Sequence, residues 1–263
     1  HEATMLMGVR SVFHIYLVTK SKTCQQAAKS GLVEIMEYML QRMETSPLNT
    51  TIPQQQQQPS SELEPQNQQQ HDLDHQHHQH HSLWYTDSYY LMRSLVKLSS
   101  KELPGIDDAN NSNPSNFSLA AQIFTSSTPV DPLALHNKVL SLELILRAME
   151  CAGPQFCNDD KFIHLVQSQL CVALLKNCMS NNTSVAFISN QIFLILVYKF
   201  KSHLKDEIQV FMSNIFLRVL ESENSSFHQK ALVLESLRSV CSDPVLLTQI
   251  FLNYDCDFDA MNL

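Results

Sequence analysis

Glycine is scarce in this chain, occurring four times in 263 residues, at Gly8, Gly31, Gly105 and Gly153. Phosphate-cradling loops and tight hairpins both need glycine, for positive φ or for close backbone approach. Four scattered glycines leave almost no room for either, which argues against nucleotide-binding α/β folds and turn-rich all-β folds. Positive charge is also short. Net charge is −8 with histidine neutral, 17% of residues are charged, and no basic stretch reverses the balance. Such a chain has no general attraction to nucleic acid or anionic lipid. Long apolar runs are missing too: none reaches about 18 residues, the length of a spanning helix. The nearest, Ile188 to Val197, is interrupted by Asn190 and Gln191, so membrane contact is expected only peripherally, through a partner. There is no Gly-x-Ser-x-Gly elbow and no recognisable Cys/His signature, so nothing recommends nucleophilic catalysis. No cofactor is expected.

Helical periodicity is what the chain has in quantity, and 44% of its residues are hydrophobic, enough for a large core. Met5, Val9, Val12, Phe13 and Tyr16 predict a helix over about Glu2 to Lys20. Thr23 reads as the N-cap of a second helix running to about Glu44, with Ala27, Ala28, Leu32, Ile35, Met36, Met39 and Met43 on one side. Ser46-Pro47 ends it. Residues 45–82 differ in kind. They hold Gln54 to Gln58, Gln68 to Gln70 and a histidine tract, and so few large apolar side chains predict a disordered linker. Trp84, Leu91, Leu95 and Leu98 restore a helix to about Ser100, and residues 101–129, rich in Asn, Ser and Pro, read as a flexible loop.

From Asp131-Pro132, an N-cap followed by a first-turn proline, the pattern is dense. Leu133, Leu140, Leu144 and Met149 share one helix, which Gly153-Pro154 stops. Further helices are expected at about Asp159 to Met179, Ser184 to Phe200, His203 to Glu221, Ser226 to Cys241 and Pro244 to Leu252. Ile188 to Phe200 is rich in strand-favouring residues, but its length and its place in the series favour a buried helix. Short links between such helices force antiparallel neighbours. The expected fold is all-α: an armadillo- or HEAT-like α-solenoid, with a closed helical bundle as the alternative. The expected divisions are 1–44, the linker 45–82 and a helical domain over 83–263. The chain opens at His1 inside an apolar pattern and stops at Leu263 without a cap, and reads as a piece of a longer protein. Seven cysteines, an odd number, with no secretory leader point to a reducing compartment.

Candidate sites are few. His71, His75, His77, His78, His80 and His81 could chelate zinc, which makes a metal-handling protein the alternative functional reading. A low-complexity tract does not supply fixed tetrahedral geometry, so no specific metal site is expected there. Cys151, Cys157, Cys171 and Cys178, with His164 nearby in sequence, match no paired-ligand spacing and read as core packing. Asp206 and Glu207 fall in a first helical turn, where carboxylates complement the dipole. The most unusual segment is Asn253, Tyr254, Asp255, Cys256 and Asp257. By residue type alone it ranks first as a capped turn, with Asn253 closing one helix and Asp255 or Asp257 capping the next. A calcium loop lacks its spaced oxygens and its glycine. The third option is a polar knot whose carboxylates fix how two helical blocks meet.

That five-residue segment resembles the box of the homology region upstream of the catalytic domain in large ARF guanine-nucleotide exchange factors, in the brefeldin-A-inhibited branch. Other stretches resemble the same region in order: Met92 to Ser99, Lys138 to Leu146 with Ala152-Gly153-Pro154, Gln169 to Leu174, and Phe200 to Lys205. Glu2 to Glu44 is similar to the end of the preceding dimerisation and cyclophilin-binding domain, notably Gly8-Val9-Arg10 and Ala27-Ala28-Lys29. The resemblance implies an armadillo-like, non-catalytic regulatory scaffold acting in Golgi vesicle trafficking, with roles in interdomain contact, autoinhibition and recruitment. The exchange-catalysing domain would lie downstream. Implied partners are the preceding and downstream domains of the same protein, small GTPases of the ARF, ARF-like or Rab type, and a second copy as homodimer. Implied location is cytoplasmic, peripheral on trans-Golgi network membranes. Carried over by position, Asn253, Tyr254, Asp255, Cys256 and Asp257 would hold the interface with the preceding domain.

Overall fold

Apolar residues three and four positions apart draw the first two helices, α1 (Glu2–Val18) and α2 (Lys22–Thr45), against each other. The computed structural model describes residues 2–45, 83–103 and 132–256. The glutamine- and histidine-rich linker with its histidine tract, most of the 101–129 loop, Asp131 and Asp257 lie outside the described residues. In α2 the inward stripe is Leu32, Met36, Met39, Leu40 and Met43, while Ala27 faces solvent. The cap is Ser21, not the expected Thr23. The Ser21 carbonyl accepts the Gln25 amide at 2.9 Å and its hydroxyl accepts the Cys24 amide at 3.4 Å. Thr23 already lies in the first turn.

The remaining described elements are α3 (Leu83–Ser99), α4 (Pro132–Cys151) and the short α5 (Pro154–Asn158). A long rod follows, α6 (Asp160–Leu165) joined to α7 (Val172–Cys178) through a π-turn, Val166–Cys171. Next come α8 (Thr183–Phe200) and a second rod, α9 (Lys205–Phe211) and α10 (Arg218–Glu221) around the π-turn Met212–Leu217. The described residues end with α11 (Phe227–Cys241) and α12 (Pro244–Ile250), which runs on into the π-turn Phe251–Asp255. No strand occurs among the described residues.

Side-chain caps set most of these boundaries. Asn182 accepts from the amides of Ser184 and Val185, Asp159 from Lys161 and Phe162, and Asp243 from Val245 and Leu246. Ser226 and Gln229 form a reciprocal capping box at the start of α11. Gly153 does not close α4 as a left-handed stop. It sits in extended backbone at φ −97° and opens α5 instead.

Long-range hydrogen bonds define the stacking. At their starts, α3 and the α6–α7 rod are tied by Tyr85 Oη donating to Asp159 Oδ1 (2.8 Å). At their ends, Asn177 Nδ2 donates to the Ser99 carbonyl (3.2 Å). These two elements therefore run parallel. Gln167 Nε2 on the His203 carbonyl (2.7 Å) places the start of the α9–α10 rod beside the π-turn in the middle of the α6–α7 rod. The other layer is also parallel: Lys199 near the end of α8 reaches the end of α4, and Tyr198 Oη reaches Ser239 near the end of α11. Sequential helices run antiparallel and alternate helices run parallel. That is the open two-layer stack of an α-solenoid, and it replaces the closed bundle.

The core runs continuously through both layers. Phe156, Phe162, Phe193, Phe200, Phe211 and Phe216 are each less than 2% exposed. Phe193 stacks on Phe211 with ring centroids 4.1 Å apart and meets Phe216 edge-on at 5.4 Å. Helix α8 is the middle of this core. Its 18 residues average a hydropathy of 1.4, so by length and composition it is long and apolar enough to cross a bilayer. The two polar residues that seemed to interrupt it do not. Asn190 donates to the Ala186 carbonyl one turn back (3.0 Å), and Val185, Ile192, Val197 and Phe200 are wholly enclosed by the neighbouring helices.

Candidate interaction sites

Charges spaced seven and eight apart along α2 meet the second half of the chain. Lys29 pairs with Glu143 (2.7 Å), and Glu37 with the Arg147 guanidinium (2.6 Å), which also holds Glu150 (2.7 Å). Glu44 completes the ladder. Its Oε2 accepts the Gln155 amide and its Oε1 the Phe156 amide, both at 2.9 Å, while its carbonyl accepts Gln155 Nε2 at 3.2 Å. A carboxylate from α2 thus satisfies the unpaired first-turn amides of α5, which the Gly153 N-cap, having no side-chain donor or acceptor, leaves open. The glycine is required for this approach. A Cβ on Gly153 would lie 2.6 Å from Glu44 Cδ and 2.7 Å from Oε2. Tyr38 on α2 meets the Trp84 ring edge-on at 5.6 Å.

The same corner is closed from the opposite side by Lys199. Its ammonium donates to the carbonyls of Met149 (3.0 Å), Glu150 (2.6 Å) and Ala152 (3.0 Å), the free acceptors at the end of α4. One anion and one cation from different helices therefore fix the turn that carries the chain from α4 into α5. Sequence reading missed Glu44, Lys199 and this use of Gly153. The regular spacing of Lys29, Glu37 and Glu44 was the available signal.

The five-residue box is split by its local geometry. Asn253, Tyr254 and Asp255 are not a turn after a finished helix but part of the π-turn that prolongs α12, and Cys256 is its C-cap. The Cys256 amide donates five residues back to Phe251 (3.1 Å). Tyr254 is the buried member. Its hydroxyl donates to the Lys205 carbonyl (2.9 Å), and Lys205 Nζ lies 5.8 Å from the ring centroid. Burial first, then the nearby carboxylates of Asp206 and Glu207, push the phenol up to about 12. Asn253 and Cys256 are exposed and Asp255 is half-buried. Asp255 lines a surface depression with Leu247, Thr248, Ile250 and Phe251.

The cysteines behave as packing groups where they are enclosed. Burial, with Glu207 second, raises the Cys171 thiol to about 12, and complete burial raises Cys178. Burial also raises Cys151 and Cys157. Among the described residues, no three His, Cys, Asp or Glu side chains converge as metal ligands.

Residues 84–263 match the Mon2/Sec7/BIG1-like HUS domain. The chain belongs to this family. The chain is 38% identical over 179 residues to brefeldin A-inhibited guanine nucleotide-exchange protein 1 of Rattus norvegicus and of Homo sapiens. The aligned stretch is 67% of this chain and 8% of each relative. The Arabidopsis thaliana brefeldin A-inhibited guanine nucleotide-exchange protein 3 is 35% identical over 178 residues, 67% of this chain and 9% of the relative. The chain thus spans under a tenth of the length of these curated relatives. The HUS match starts at Trp84, so α1 and α2 lie outside it, and the Glu44 contact joins a flanking helix pair to the HUS domain.

Proposed function

We propose that this chain is a non-catalytic regulatory and interaction scaffold within an ARF guanine-nucleotide exchange factor of Golgi vesicle trafficking. The observation that carries the reading is the HUS-domain match over residues 84–263. The helical stack supports it, since a solenoid offers extended ridges and grooves to partner helices. In this reading α1 and α2 are the last helices of the preceding dimerisation and cyclophilin-binding domain, and 83–263 is the HUS domain. The exchange reaction belongs to a catalytic domain downstream. The protein works in the cytoplasm, peripherally on trans-Golgi network membranes, in contact with small GTPases of the ARF, ARF-like or Rab type.

Within the box the roles divide. Tyr254 holds α12 on the α9–α10 rod, and the outward Asn253, Asp255 and Cys256, with Asp257, contact further parts of the preceding domain. The Glu44 ladder fixes the angle of that domain's final helix pair. Such fixed angles couple one block to another, the physical requirement for autoinhibition.

The test is binding of the Asp255→Ala/Asp257→Ala chain to the isolated preceding domain, with helicity checked by circular dichroism. A folded variant that binds at least about tenfold more weakly supports the box role, a change of about 1.4 kcal/mol. Unchanged affinity overturns it. Pull-down of a panel of GTP-loaded small GTPases by the chain joined to the missing N-terminal part then identifies the partner. Retention of none of them removes the recruitment role.

A further inference from the structure

Helix α3 turns a basic face to solvent that nothing in the described chain neutralises. Between Asp87 and Glu102 the sequence holds Arg93, Lys97 and Lys101 and no acidic residue. Asp87 itself is buried, 5% exposed, and does not reach this surface. Arg93 and Lys97 stand one turn apart on the outward side of α3, and Tyr90, 49% exposed, lies one turn before them. Lys101 follows four positions on, exposed in the turn that closes the helix. Lys176, near the end of the α6–α7 rod, is drawn to the same corner by Glu102, at 3.1 Å. Four cations and one carboxylate therefore gather here, in a chain whose net charge is −8.

The chain's own contacts do not account for this arrangement. At the helix junctions the cations have partners: Lys29 holds Glu143, Arg147 holds Glu37 and Glu150, and Lys199 holds three carbonyls. No carboxylate of the described residues pairs with Arg93, Lys97 or Lys101. Like charges four residues apart on a helix repel each other. The helix dipole suits Lys97 and Lys101, at the C-terminal end of α3, but not Arg93, which lies more than a turn before it.

We propose that this face binds the acidic side of a partner helix. Arg93, Lys97 and Lys101 lie about 6 Å apart along the axis, the spacing of carboxylates at every fourth position of a second helix. The planar guanidinium of Arg93 can take a carboxylate in two bonds, while the lysines act as point charges. Tyr90 adds one apolar contact beside them. A short helix also fits the charge of the whole chain. It covers the basic corner alone, whereas a bilayer or a nucleic-acid duplex extends beyond it over the rest of a net-acidic molecule. This face would bind its helix whether or not the chain regulates exchange.

Fluorescence anisotropy with the 263-residue chain tests this. The probe is a fluorescein-labelled, alanine-rich synthetic helix of about 20 residues, long enough to hold helical structure, with glutamate at every fourth position of one face. The parent should bind it with a Kd below about 100 µM at about 50 mM salt, and at least about tenfold more weakly at about 0.5 M. A peptide of the same composition with its glutamates spread round the helix should bind at least about threefold more weakly. Arg93→Glu/Lys97→Glu/Lys101→Glu should weaken binding at least about tenfold with unchanged helicity. The corresponding triple alanine variant reads the same loss if reversal lowers helicity. Arg93→Lys/Lys97→Arg/Lys101→Arg should keep most of the affinity, and so should Lys20→Glu/Lys22→Glu, which reverses exposed charge elsewhere. Three results overturn the proposal: no binding by the parent, folded triple variants that bind like the parent, or a Lys20→Glu/Lys22→Glu chain weakened as much as they are. A parent that ignores the peptide but co-sediments with phosphatidylserine vesicles, losing them in the triple variant, overturns it in favour of a lipid surface.

Discussion

Glu44 and Gly153 are one device, since the glycine's missing Cβ is the space in which the Glu44 carboxylate reaches the Gln155 and Phe156 amides at 2.9 Å. Removing the carboxylate leaves two first-turn amides without a partner, and Glu44→Ala should cost about 1–3 kcal/mol. Gly153→Ala should cost a similar amount. Its backbone, at φ −97°, accepts alanine without strain, so the cost comes from displacing Glu44. The double variant should then be little worse than Glu44→Ala alone, because the same contact cannot be lost twice. Urea unfolding of the parent, both singles and the double measures this coupling, and simple additivity would refute it.

Lys199 acts on the same corner through its charge and its reach. Three carbonyls converge on one ammonium, at 2.6 to 3.0 Å, a geometry that suits a compact point charge with rotatable donors. Lys199→Met keeps the apolar stem and removes the donors, and should cost about 1 kcal/mol, since water can reach part of the site. Lys199→Arg should not recover it, because a planar guanidinium directs its donors outward in a fork. Thermal unfolding of the two variants distinguishes these outcomes.

The legible part of this structure was its local part. Apolar spacing located the helices, and the length of Ile188 to Phe200 outweighed its strand-favouring composition, so α8 was read as buried helix. Caps were legible only where the side chain sits in sequence beside the amides it serves, and Thr23 was mistaken for Ser21 because both are hydroxyl residues within two positions. The corner contacts were not legible. Glu44 and Gln155 are 111 residues apart, and Lys199 and Met149 are 50 apart, so no periodicity links them. The box misled for a different reason. Asn and Asp favour turns, but burying Tyr254 against Lys205 pulls the segment into a continued helical turn.

Tyr254 should set part of the alkaline limit of stability. Its phenol is held up to about 12 in the folded chain, against an ordinary value of 10.0. A raised folded value means that the native state holds the proton more tightly than the unfolded chain. The contribution is therefore complete below about pH 10 and is lost as pH rises from there towards about 12. Tyr254→Phe should cost about 1 kcal/mol at neutral pH through the lost hydrogen bond to the Lys205 carbonyl. It should also flatten the fall in melting temperature between pH 10 and 12. Tyr85, raised by burial and by its bond to Asp159, retains its own share of the slope. A melting profile in which Tyr254→Phe runs parallel to the parent throughout that window would contradict the assignment.

The seven thiols should divide into classes by enclosure. Cys24, Cys241 and Cys256 are exposed, Cys151 and Cys157 are intermediate, and Cys171 and Cys178 are buried. A thiol reagent attacks the thiolate, and burial both screens the sulfur and raises its pKa, so access and reactivity fall together. Mass spectrometry after a short exposure to a maleimide should find the three exposed sites modified and Cys171 and Cys178 untouched. Those two should react at the rate at which the stack opens, and adding denaturant should bring them to the exposed rate. Cys256 carries additional information, since it closes the π-turn beside Asp255. If the outward side of the box contacts the preceding domain, adding that domain should slow labelling at Cys256 while Cys241 keeps its rate. Equal rates at Cys256 with and without a saturating amount of that domain would place the contact elsewhere on the HUS domain.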